Sequence, residues 1–357
     1  MLVERIEHKW LAAFVRTFSL CHVQPGEVVA ILAETQSRRV NVDMARLALE
    51  SLGARVFEVT LTTPALTAPA PVRSTGASDA IGQLAPVVAS LARADFVVDC
   101  TVEGLLHAPE LPTIMQGFEG HRPRLLMVSN EHPEILERTV PDPALEGVVR
   151  SAMKKLKSAQ QMHVTSKAGT DLRVQMAKAV VGGVWGFCPK PGMVSHWPAG
   201  LALAFPAAGS VSGTLVMAPG DVNLTFKRYL ESTIALQIEN DSVVSIEGSG
   251  VDADMMRGYW KAWEDSEGHR ACYAVSHVGF GLNPAARWDA MTFYDKRDCN
   301  GTELRAFAGN FLYSTGANEV AGRHTLGHFD LPMRGCTVQL DDTVLVNAGA
   351  LAPEALA

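Results

Sequence analysis

The chain has 357 residues, of which 47% are hydrophobic and 19% charged, and its net charge is −7 at pH 7. This composition supports a sizeable core and argues against global disorder, and the lack of a basic stripe argues against nucleic acid as a partner. No run reaches the roughly 18 apolar residues that span a bilayer, and charges interrupt the N-terminus where a signal peptide would be apolar.

The first part of the sequence predicts helices and strands in alternation. Apolar residues recur at helical spacing over 4–22, and further helices are predicted over 40–52, 81–94 and 143–157. Short apolar runs predict buried strands at 27–32, 54–59, 95–100 and 124–128, and residues 62–78, rich in Pro, Ala and Thr, predict a loop. This alternation indicates βαβ units and a parallel sheet.

The pattern changes near residue 160. Short alternating runs separated by glycines predict antiparallel strands at 163–166, 172–175, 213–217, 234–238 and 242–246. One helix is predicted over 252–266, and its apolar stripe, Met255, Met256, Tyr259, Trp260 and Trp263, is typical of a core face. We therefore predict an α/β plus α+β protein with an N-terminal parallel-sheet domain over 1–155 and a mainly antiparallel β domain over 156–357.

A His-x-Asp pair lies near the C-terminus, between two glycines and a proline. If residues 326–331 are extended, His328 and Asp330 share one face and Phe329 turns to the other. One imidazole and one carboxylate at one spot supply two of the three protein ligands of a mononuclear iron site. The alternative is an ordinary hydrogen-bonded pair.

His277 is the candidate third ligand, because it lies on a predicted strand that runs into a glycine-rich loop at 279–284. With His328 and Asp330 it would form a 2-His-1-carboxylate face, which leaves three open positions and suits non-haem Fe(II). The glycines at 279 and 281, and those at 248 and 250, are interpreted as turns because their spacing is too short for a phosphate loop. The alternative for His277 is again a structural histidine.

Other histidines have weaker cases. His107 follows the third predicted parallel strand, where α/β sheets expose ligand-facing loops, and His196 lies in a loop rich in Pro and Gly. Either is a candidate general base or substrate clamp, or else a packing residue. His324 is discounted as a ligand because the neighbouring glycines argue against the helix that a His-x-x-x-His pair needs. His-Glu-x-x-His and Gly-x-Ser-x-Gly motifs are absent.

Six cysteines are scattered along the chain without a Cys-x-x-Cys pair. This usage predicts reduced thiols in a cytoplasmic protein and neither a disulfide framework nor a cysteine zinc site. A reducing compartment also suits a site that must keep iron ferrous.

With these residues assembled, the chain resembles the aminopeptidase T family of metallopeptidases. Gly-x-Gly-x-Asn-Pro at 279–284 and the His-x-Asp segment at 322–331 carry the resemblance. It implies an α/β N-terminal domain followed by a C-terminal metal domain. The peptidases hold two metals, but where they present two glutamates and a further histidine this chain has His277, His196 and Leu312. These replacements imply the loss of the second metal.

The resulting pattern is similar to the mononuclear-iron branch of that family, the 2,5-dihydroxypyridine 5,6-dioxygenases. The resemblance implies Fe(II) on His277, His328 and Asp330, a lid-like loop at Leu106 and His107, and extradiol-type cleavage of the pyridine ring by O₂ to N-formylmaleamate. It implies a cytoplasmic enzyme of nicotinate or nicotine breakdown that assembles as a dimer or higher homo-oligomer. Nucleic acid and membrane are not expected as partners.

Site roles follow from the same hypothesis. His196 or His107 would remove a hydroxyl proton, and the apolar Leu106, Trp197 and Phe280 would flank a flat ring. Phe329 is a poorer candidate for such a wall, because strand alternation turns it away. Two alternatives remain open at this point: a two-metal hydrolase that keeps peptidase chemistry, and a silent binding protein with a structural metal.

Overall fold

The computed structural model describes residues 5–65 and 78–356 of the chain. Its first half alternates helices with strands, as the sequence predicts. From residue 66 to 77 the predicted loop lies outside the described residues. In chain order the elements are α1 (His8–Leu20), β1 (Val28–Glu34), α2 (Arg39–Ser51), β2 (Arg55–Leu61), α3 (Ala85–Ala92), β3 (Phe96–Asp99), α4 (Leu111–Gln116), β4 (Arg124–Val128), α5 (Pro133–Arg138) and α6 (Pro143–Ser158).

A parallel sheet in the order β2-β1-β3-β4 forms the centre of this half. Strands β3 and β4 are buried along their whole length, since helices cover both faces of the sheet, and this burial explains their continuous apolar runs. On one face Phe18 of α1 packs edge-on against Phe96 of β3, with 5.9 Å between ring centroids. On the other face α3 and α4 cover Val97 and Leu125.

The second half is mainly antiparallel β structure, as predicted. Its strands are β5 (Gln161–Ser166), β6 (Asp171–Gln175), β7 (Val180–Val184), β8 (Val194–Trp197), β9 (Leu201–Phe205), β10 (Val211–Met217), β11 (Val222–Asn223), β12 (Arg228–Tyr229), β13 (Ile234–Glu239), β14 (Ser242–Glu247), β15 (Val275–Gly281), β16 (Phe311–Thr315), β17 (Phe329–Met333), β18 (Cys336–Leu340), β19 (Thr343–Asn347) and β20 (Ala350–Leu351). Its α-helices are α7 (Val251–Glu267), α8 (Thr302–Ala306) and α9 (Pro353–Leu356).

Two antiparallel sheets organise this half. The larger has the order β14-β13-β10-β6-β5-β18-β19-β20, and its strands alternate buried and exposed residues because one face meets the core. The smaller, which we call the site sheet, has the order β17-β16-β15-β9-β7. Helix α7 buries Met256, Tyr259 and Trp260, so the predicted core stripe is confirmed.

Strand β8 joins the two predicted domains. The domain boundary at residue 155 stays a prediction. The strand belongs to the second half of the sequence, yet it pairs in parallel with β4 and extends the N-terminal sheet to β2-β1-β3-β4-β8. The carboxyl ends of β3, β4 and β8 therefore share one edge, which is where open α/β sheets place ligand-facing loops. In the part of the chain that the structure describes, no helix is long and apolar enough to span a bilayer.

The interpretation of Gly279 and Gly281 as a turn is wrong, because both glycines lie inside β15. They are required by close approach of neighbouring backbone. A Cβ on Gly279 would lie 2.2 Å from the Ala202 carbonyl oxygen, and one on Gly281 would lie 2.2 Å from the Phe307 carbonyl oxygen. Gly248 and Gly250, with φ of 140° and 86°, do form the turn between β14 and α7.

This close approach makes a testable prediction about stability. We expect Gly281→Ala to lower the free energy of unfolding by about 1–3 kcal/mol, because the methyl group overlaps backbone atoms that cannot rotate away. Gly258→Ala is the control, since Gly258 lies in α7 with no atom within 4 Å of its Cβ position, and helical Gly→Ala stabilises by roughly 0.5–1 kcal/mol. Urea unfolding measures both, and equal midpoints would contradict the packing argument.

Candidate metal centre

One face of the site sheet gathers the predicted ligands. In the strand register His277 of β15 is paired with Ser314 of β16, and Ser314 is paired with Asp330 of β17. Directly paired residues on neighbouring strands point to the same side of a sheet. His277 and Asp330 therefore reach one spot from strands that are not adjacent, and all three side chains are buried.

His328 lies one residue before β17, so the strand starts later than predicted, but its side chain still shares a face with Asp330. His328 Nε2 is 3.2 Å from Asp330 Oδ1. The backbone there is held by the Tyr259 hydroxyl, which donates to the His328 carbonyl at 2.9 Å. Phe329 turns to the opposite face and packs against Tyr259 and Trp260, with ring centroids at 4.7 and 5.1 Å. The predicted alternation is confirmed.

The donor set fits a mononuclear metal ion. Nitrogen atoms of His107, His277 and His328 lie within 4.8 Å of one another, the one such cluster of three or more ligating residues among those described. Asp330 Oδ1 adds an oxygen 3.2 Å from His328 Nε2 and 3.8 Å from His277 Nε2. With metal–nitrogen bonds of ~2.1 Å, adjacent octahedral donors are about 3 Å apart. Small side-chain shifts would bring these atoms onto one ion.

Asp330 is held by two residues that the sequence analysis missed. Arg305 Nε of α8 donates to Asp330 Oδ2 at 2.6 Å, and the Ser314 hydroxyl donates to Oδ1. Burial pushes the pKa of the Asp330 carboxyl up, but the Arg305 guanidinium and then His328 more than offset it, so that the pKa lies well below its usual value. Asp330 is therefore a carboxylate at neutral pH, with one oxygen occupied by Arg305. No motif marks Arg305, since only the fold brings α8 to β17.

His107, His277 and His196 are neutral near pH 7, because the pKa of each imidazole is lowered, and they are available as ligands or bases. Burial, followed by the neighbouring imidazoles of His328 and His277, lowers the pKa of His107 to about 3. Burial also lowers the pKa of His277 to about 3 and that of His196 to about 4. A neutral imidazole presents a lone pair to a cation or a proton.

His196 lies on β8, and its Nδ1 is 2.5 Å from the Pro198 carbonyl oxygen. A carbonyl oxygen only accepts, so Nδ1 carries the proton and Nε2 is left with the lone pair. Burial lowers the pKa of His196, the Pro198 carbonyl raises it, and the charges of Arg305 and Asp330 have smaller and opposite effects. The sequence analysis placed His196 in a loop, which is wrong because it lies on β8, and its role as a base or clamp stays a prediction.

His107 comes from a different part of the fold, the loop after β3. Its ring centroid is 5.1 Å from that of His328 and 6.3 Å from that of His277. The sequence analysis treated it as a base or clamp, and the structure adds it to the ligand cluster as a fourth candidate. Leu106 beside it is 39% exposed, which agrees with a residue at the rim of the site.

Two of the predicted ring walls are corrected by the structure. Trp197 packs against Phe14 of α1, with 5.0 Å between ring centroids, and donates to the Thr139 carbonyl, because alternation along β8 turns it away from His196. Phe280 lies in the main core with Val278, on the face of β15 opposite His277. Neither side chain borders the metal ligands.

The aromatic residue beside the ligands is Phe205, at the end of β9. Its ring centroid is 5.4 Å from that of His277, and it packs with Leu201, Leu203 and Leu312 as a small apolar cluster. Leu312 is the residue for which the resemblance implies the replacement of a peptidase metal histidine, and that correspondence stays a prediction. Alternation along β9 could have indicated this face, but only knowledge of the pairing with β15 makes Phe205 a neighbour of His277.

Comparisons with known proteins find similar chains over almost the whole length of this one. A family model described as 2,5-dihydroxypyridine 5,6-dioxygenase matches residues 9–353. The protein of that name from Pseudomonas putida KT2440 is 37% identical over 349 residues, which cover 96% of this chain and 95% of that protein.

Two solved structures are similar to the model. The 2,5-dihydroxypyridine dioxygenase of Pseudomonas putida KT2440 superposes with a TM-score of 0.88 at 34% identity, covering 97% of this chain and 98% of that one. AmpT from Thermus thermophilus has a TM-score of 0.60 at 13% identity, covering 96% and 99%, which shows a shared fold alone. The predicted fold class and the resemblance to both groups are confirmed.

Proposed function

The chain belongs to the 2,5-dihydroxypyridine 5,6-dioxygenase family, and from that premise we propose that it opens the ring of 2,5-dihydroxypyridine with O₂ at an Fe(II) ion held by His277, His328 and Asp330. The product is N-formylmaleamate, which contains every atom of the substrate and both atoms of O₂. The observation that carries the proposal is the convergence of the His277 and His328 imidazoles and the ionised Asp330 carboxylate on one face of the site sheet.

Three of the four candidate ligands suit a permanent metal site better than the fourth. His277 and Asp330 lie on paired strands and His328 lies next to one, so their positions are fixed by backbone hydrogen bonds. His107 lies on a loop. A 2-His-1-carboxylate face leaves positions open for substrate and O₂, and bound Fe(II) would supply the route by which electrons pass from the ring to oxygen.

His196 and His107 then have different roles, proton transfer for His196 and cover of the bound ring for His107. Ring cleavage requires a substrate hydroxyl to lose its proton, and the neutral His196 imidazole has a lone pair to accept it, although its low pKa makes it a weak base. His196 has the better-defined lone pair, since its Nδ1 proton is committed to Pro198. His107, on the rim beside Leu106, is the better placed to cover a bound ring, and this is the role we propose for it.

Phe205 provides a prediction about substrate binding. We expect Phe205→Ala to raise KM for 2,5-dihydroxypyridine about 10-fold or more, because a flat ring loses the aromatic surface beside His277, and one ring contact is worth roughly 0.5–1.5 kcal/mol beyond its buried area. Phe118 is the control, since it is also partly exposed but lies over Arg93, away from the site. Steady-state kinetics of Phe205→Ala and Phe118→Ala measure the two KM values. Equal KM values would show that Phe205 does not contact the substrate.

The proposed function is tested directly. The protein is purified without oxygen and loaded with Fe(II), 2,5-dihydroxypyridine is added, and loss of the substrate absorbance is followed together with O₂ uptake. We expect one O₂ consumed for each ring opened and one iron per chain. A loaded protein that consumes no O₂ would overturn the proposal. Two metals per chain with peptide hydrolysis would favour the hydrolase, for which Leu312 leaves one fewer ligand.

Two expectations accompany this proposal. All six cysteines are free and buried, which supports a reducing, cytoplasmic location. A homo-oligomer, dimer or higher, is expected from the resemblance to the family, and sedimentation velocity of the purified protein measures it.

A further inference from the structure

We propose that Asp99 is a positioning residue whose carboxylate folds residues 100–107 into the shape that holds His107 against the metal ligands. The inference rests on the proposed function only for the role of His107. The geometry of the loop stands by itself.

Asp99 is the last residue of β3 and is fully buried. Its Oδ1 accepts hydrogen bonds from the Thr101 amide at 2.9 Å and the Thr101 hydroxyl at 2.7 Å, and its Oδ2 accepts from the Leu105 amide at 2.8 Å. The Thr101 hydroxyl in turn accepts from the Gly104 amide at 3.1 Å. One side chain therefore ties both ends of the segment from 101 to 105 to the end of a rigid strand.

A second buried carboxylate fastens the same segment to the neighbouring strand. Glu34 ends β1, and its Oε1 accepts from the Val102 amide at 3.0 Å and the Ser78 hydroxyl at 3.3 Å. The loop also rests on β4, since a Cβ on Gly104, at φ +82°, would lie 1.8 Å from Met127 Sδ. The first part of the loop is thus fixed by three strands of the parallel sheet.

The fixed part leads directly into a turn that carries His107. The Ala108 amide donates to the Leu105 carbonyl at 3.0 Å, so Leu106 and His107 are the two central residues of a four-residue turn. Leu105 is fully buried, whereas Leu106 is 39% exposed. Because Asp99 holds the amide of the first residue of this turn, it sets where the turn begins and hence where the His107 ring lies.

A carboxylate is the side chain that this arrangement needs. Three donors converge on two oxygens, and charged acceptors form hydrogen bonds roughly twice as strong as neutral ones. In Asp99→Asn one oxygen becomes an NH₂ group, and whichever way the amide is turned it faces at least one donor. The volume is unchanged, so the substitution tests the hydrogen bonds and leaves the packing intact.

The experiment compares Asp99→Asn with Asp221→Asn. Asp221 is a matched control because it is also a buried carboxylate, accepts from the Ala218 amide at 2.8 Å and the Arg334 amide at 2.7 Å, and lies away from the loop. Hydrogen–deuterium exchange of the whole protein at pH 7.5 is followed in peptides covering 100–108, together with iron stoichiometry and the steady-state kinetics of 2,5-dihydroxypyridine cleavage.

We expect Asp99→Asn to speed exchange in 100–108 at least 10-fold and to lower kcat/KM by about 10–100-fold, as small misplacements of catalytic groups do, while one iron per chain is retained. Asp221→Asn should leave exchange in 100–108 unchanged and kcat/KM within about 3-fold. Unchanged exchange in Asp99→Asn, or an equal loss of kcat/KM in both variants, would overturn the proposal.

A second pair of variants covers the case in which Asp99→Asn does not fold. Thr101→Val removes the bridging hydroxyl at nearly constant volume, and Thr101→Ser restores it. Faster loop exchange in Thr101→Val with rescue in Thr101→Ser supports the proposal, and no difference between them contradicts it. Exchange is measured without turnover, so a wild-type protein that consumes no O₂ would defeat the proposed function and leave this test decisive.

Discussion

The variant His328→Ala should lose stoichiometric iron and, with it, at least 10³-fold of kcat/KM for ring opening. His328 supplies one of two imidazoles beside the Asp330 carboxylate, with Nε2 3.2 Å from Oδ1, and a three-ligand site cannot lose one ligand without losing most of its affinity. Residues that only support a ligand are worth 10–100-fold, so a direct ligand is expected to exceed that range. Metal analysis after gel filtration and anaerobic steady-state kinetics measure both effects.

The control is His324→Ala, a change of the same residue type on the same segment. His324 is exposed, and the sequence analysis had already discounted it as a ligand. We expect this variant to keep one iron and wild-type turnover. If His328→Ala retained iron, or if both variants lost it, the assigned ligand set would be wrong. A third outcome would favour a structural metal. In that case the wild-type protein is stable but inactive, and His328→Ala only lowers the free energy of unfolding.

That the proposed ligands His328 and Asp330 lie together could be predicted from the sequence, because their geometry is local. His328 and Asp330 are two residues apart, and strand alternation alone places them on one face. His277 lies on a different strand, β15, so periodicity within one segment could not place it beside His328 and Asp330. The resemblance to a known family is what implied that the three residues form one site. The register that sets Ser314 between His277 and Asp330 follows from long-range strand pairing, to which the sequence gives no local signal.

The wrong predictions for the aromatic walls and the β15 glycines also arise from strand pairing that the sequence does not show. Trp197 and Phe280 are aromatic residues close in sequence to His196 and His277, and closeness suggested that they border the substrate. Side chains alternate between the two faces of a strand, and this alternation points both Trp197 and Phe280 into the core. Phe205 is distant in sequence, but the pairing of β9 with β15 brings it beside His277. The glycines of β15 were misjudged because an interior glycine demanded by backbone approach looks, in a sequence, like a glycine in a turn.

Arg305 is the residue at which a second large effect is expected, and the expected result differs from that of a lost ligand. Arg305→Gln should keep one iron per chain, lower kcat/KM about 10–100-fold and destabilise the metal-free protein by about 3–5 kcal/mol, the usual cost of leaving one partner of a buried ion pair unpaired. Arg305 and Asp330 are 9% and 2% exposed, and their atoms are 2.6 Å apart.

Two effects oppose each other at this position. Removing the guanidinium takes a positive charge away from the metal ligands, which strengthens their attraction for Fe(II). It also releases Asp330 Oδ2, the oxygen that Arg305 now occupies, and a released oxygen competes for positions that substrate and O₂ require. The first effect preserves iron binding and the second lowers turnover, so iron content and kcat/KM should separate in Arg305→Gln and fall together in His328→Ala.

The matched control is Arg287→Gln, which removes the same group from an exposed pair. Arg287 binds Asp289 through two hydrogen bonds of 2.9 and 2.8 Å, but both side chains are about half exposed, and pairs of that kind contribute roughly 0–1 kcal/mol. Urea unfolding of the metal-free variants should therefore distinguish the two substitutions by several kcal/mol. Loss of iron from Arg305→Gln would contradict this prediction. It would mean that Arg305 is needed to orient Asp330 for metal binding, and that this effect exceeds the gain from removing a positive charge.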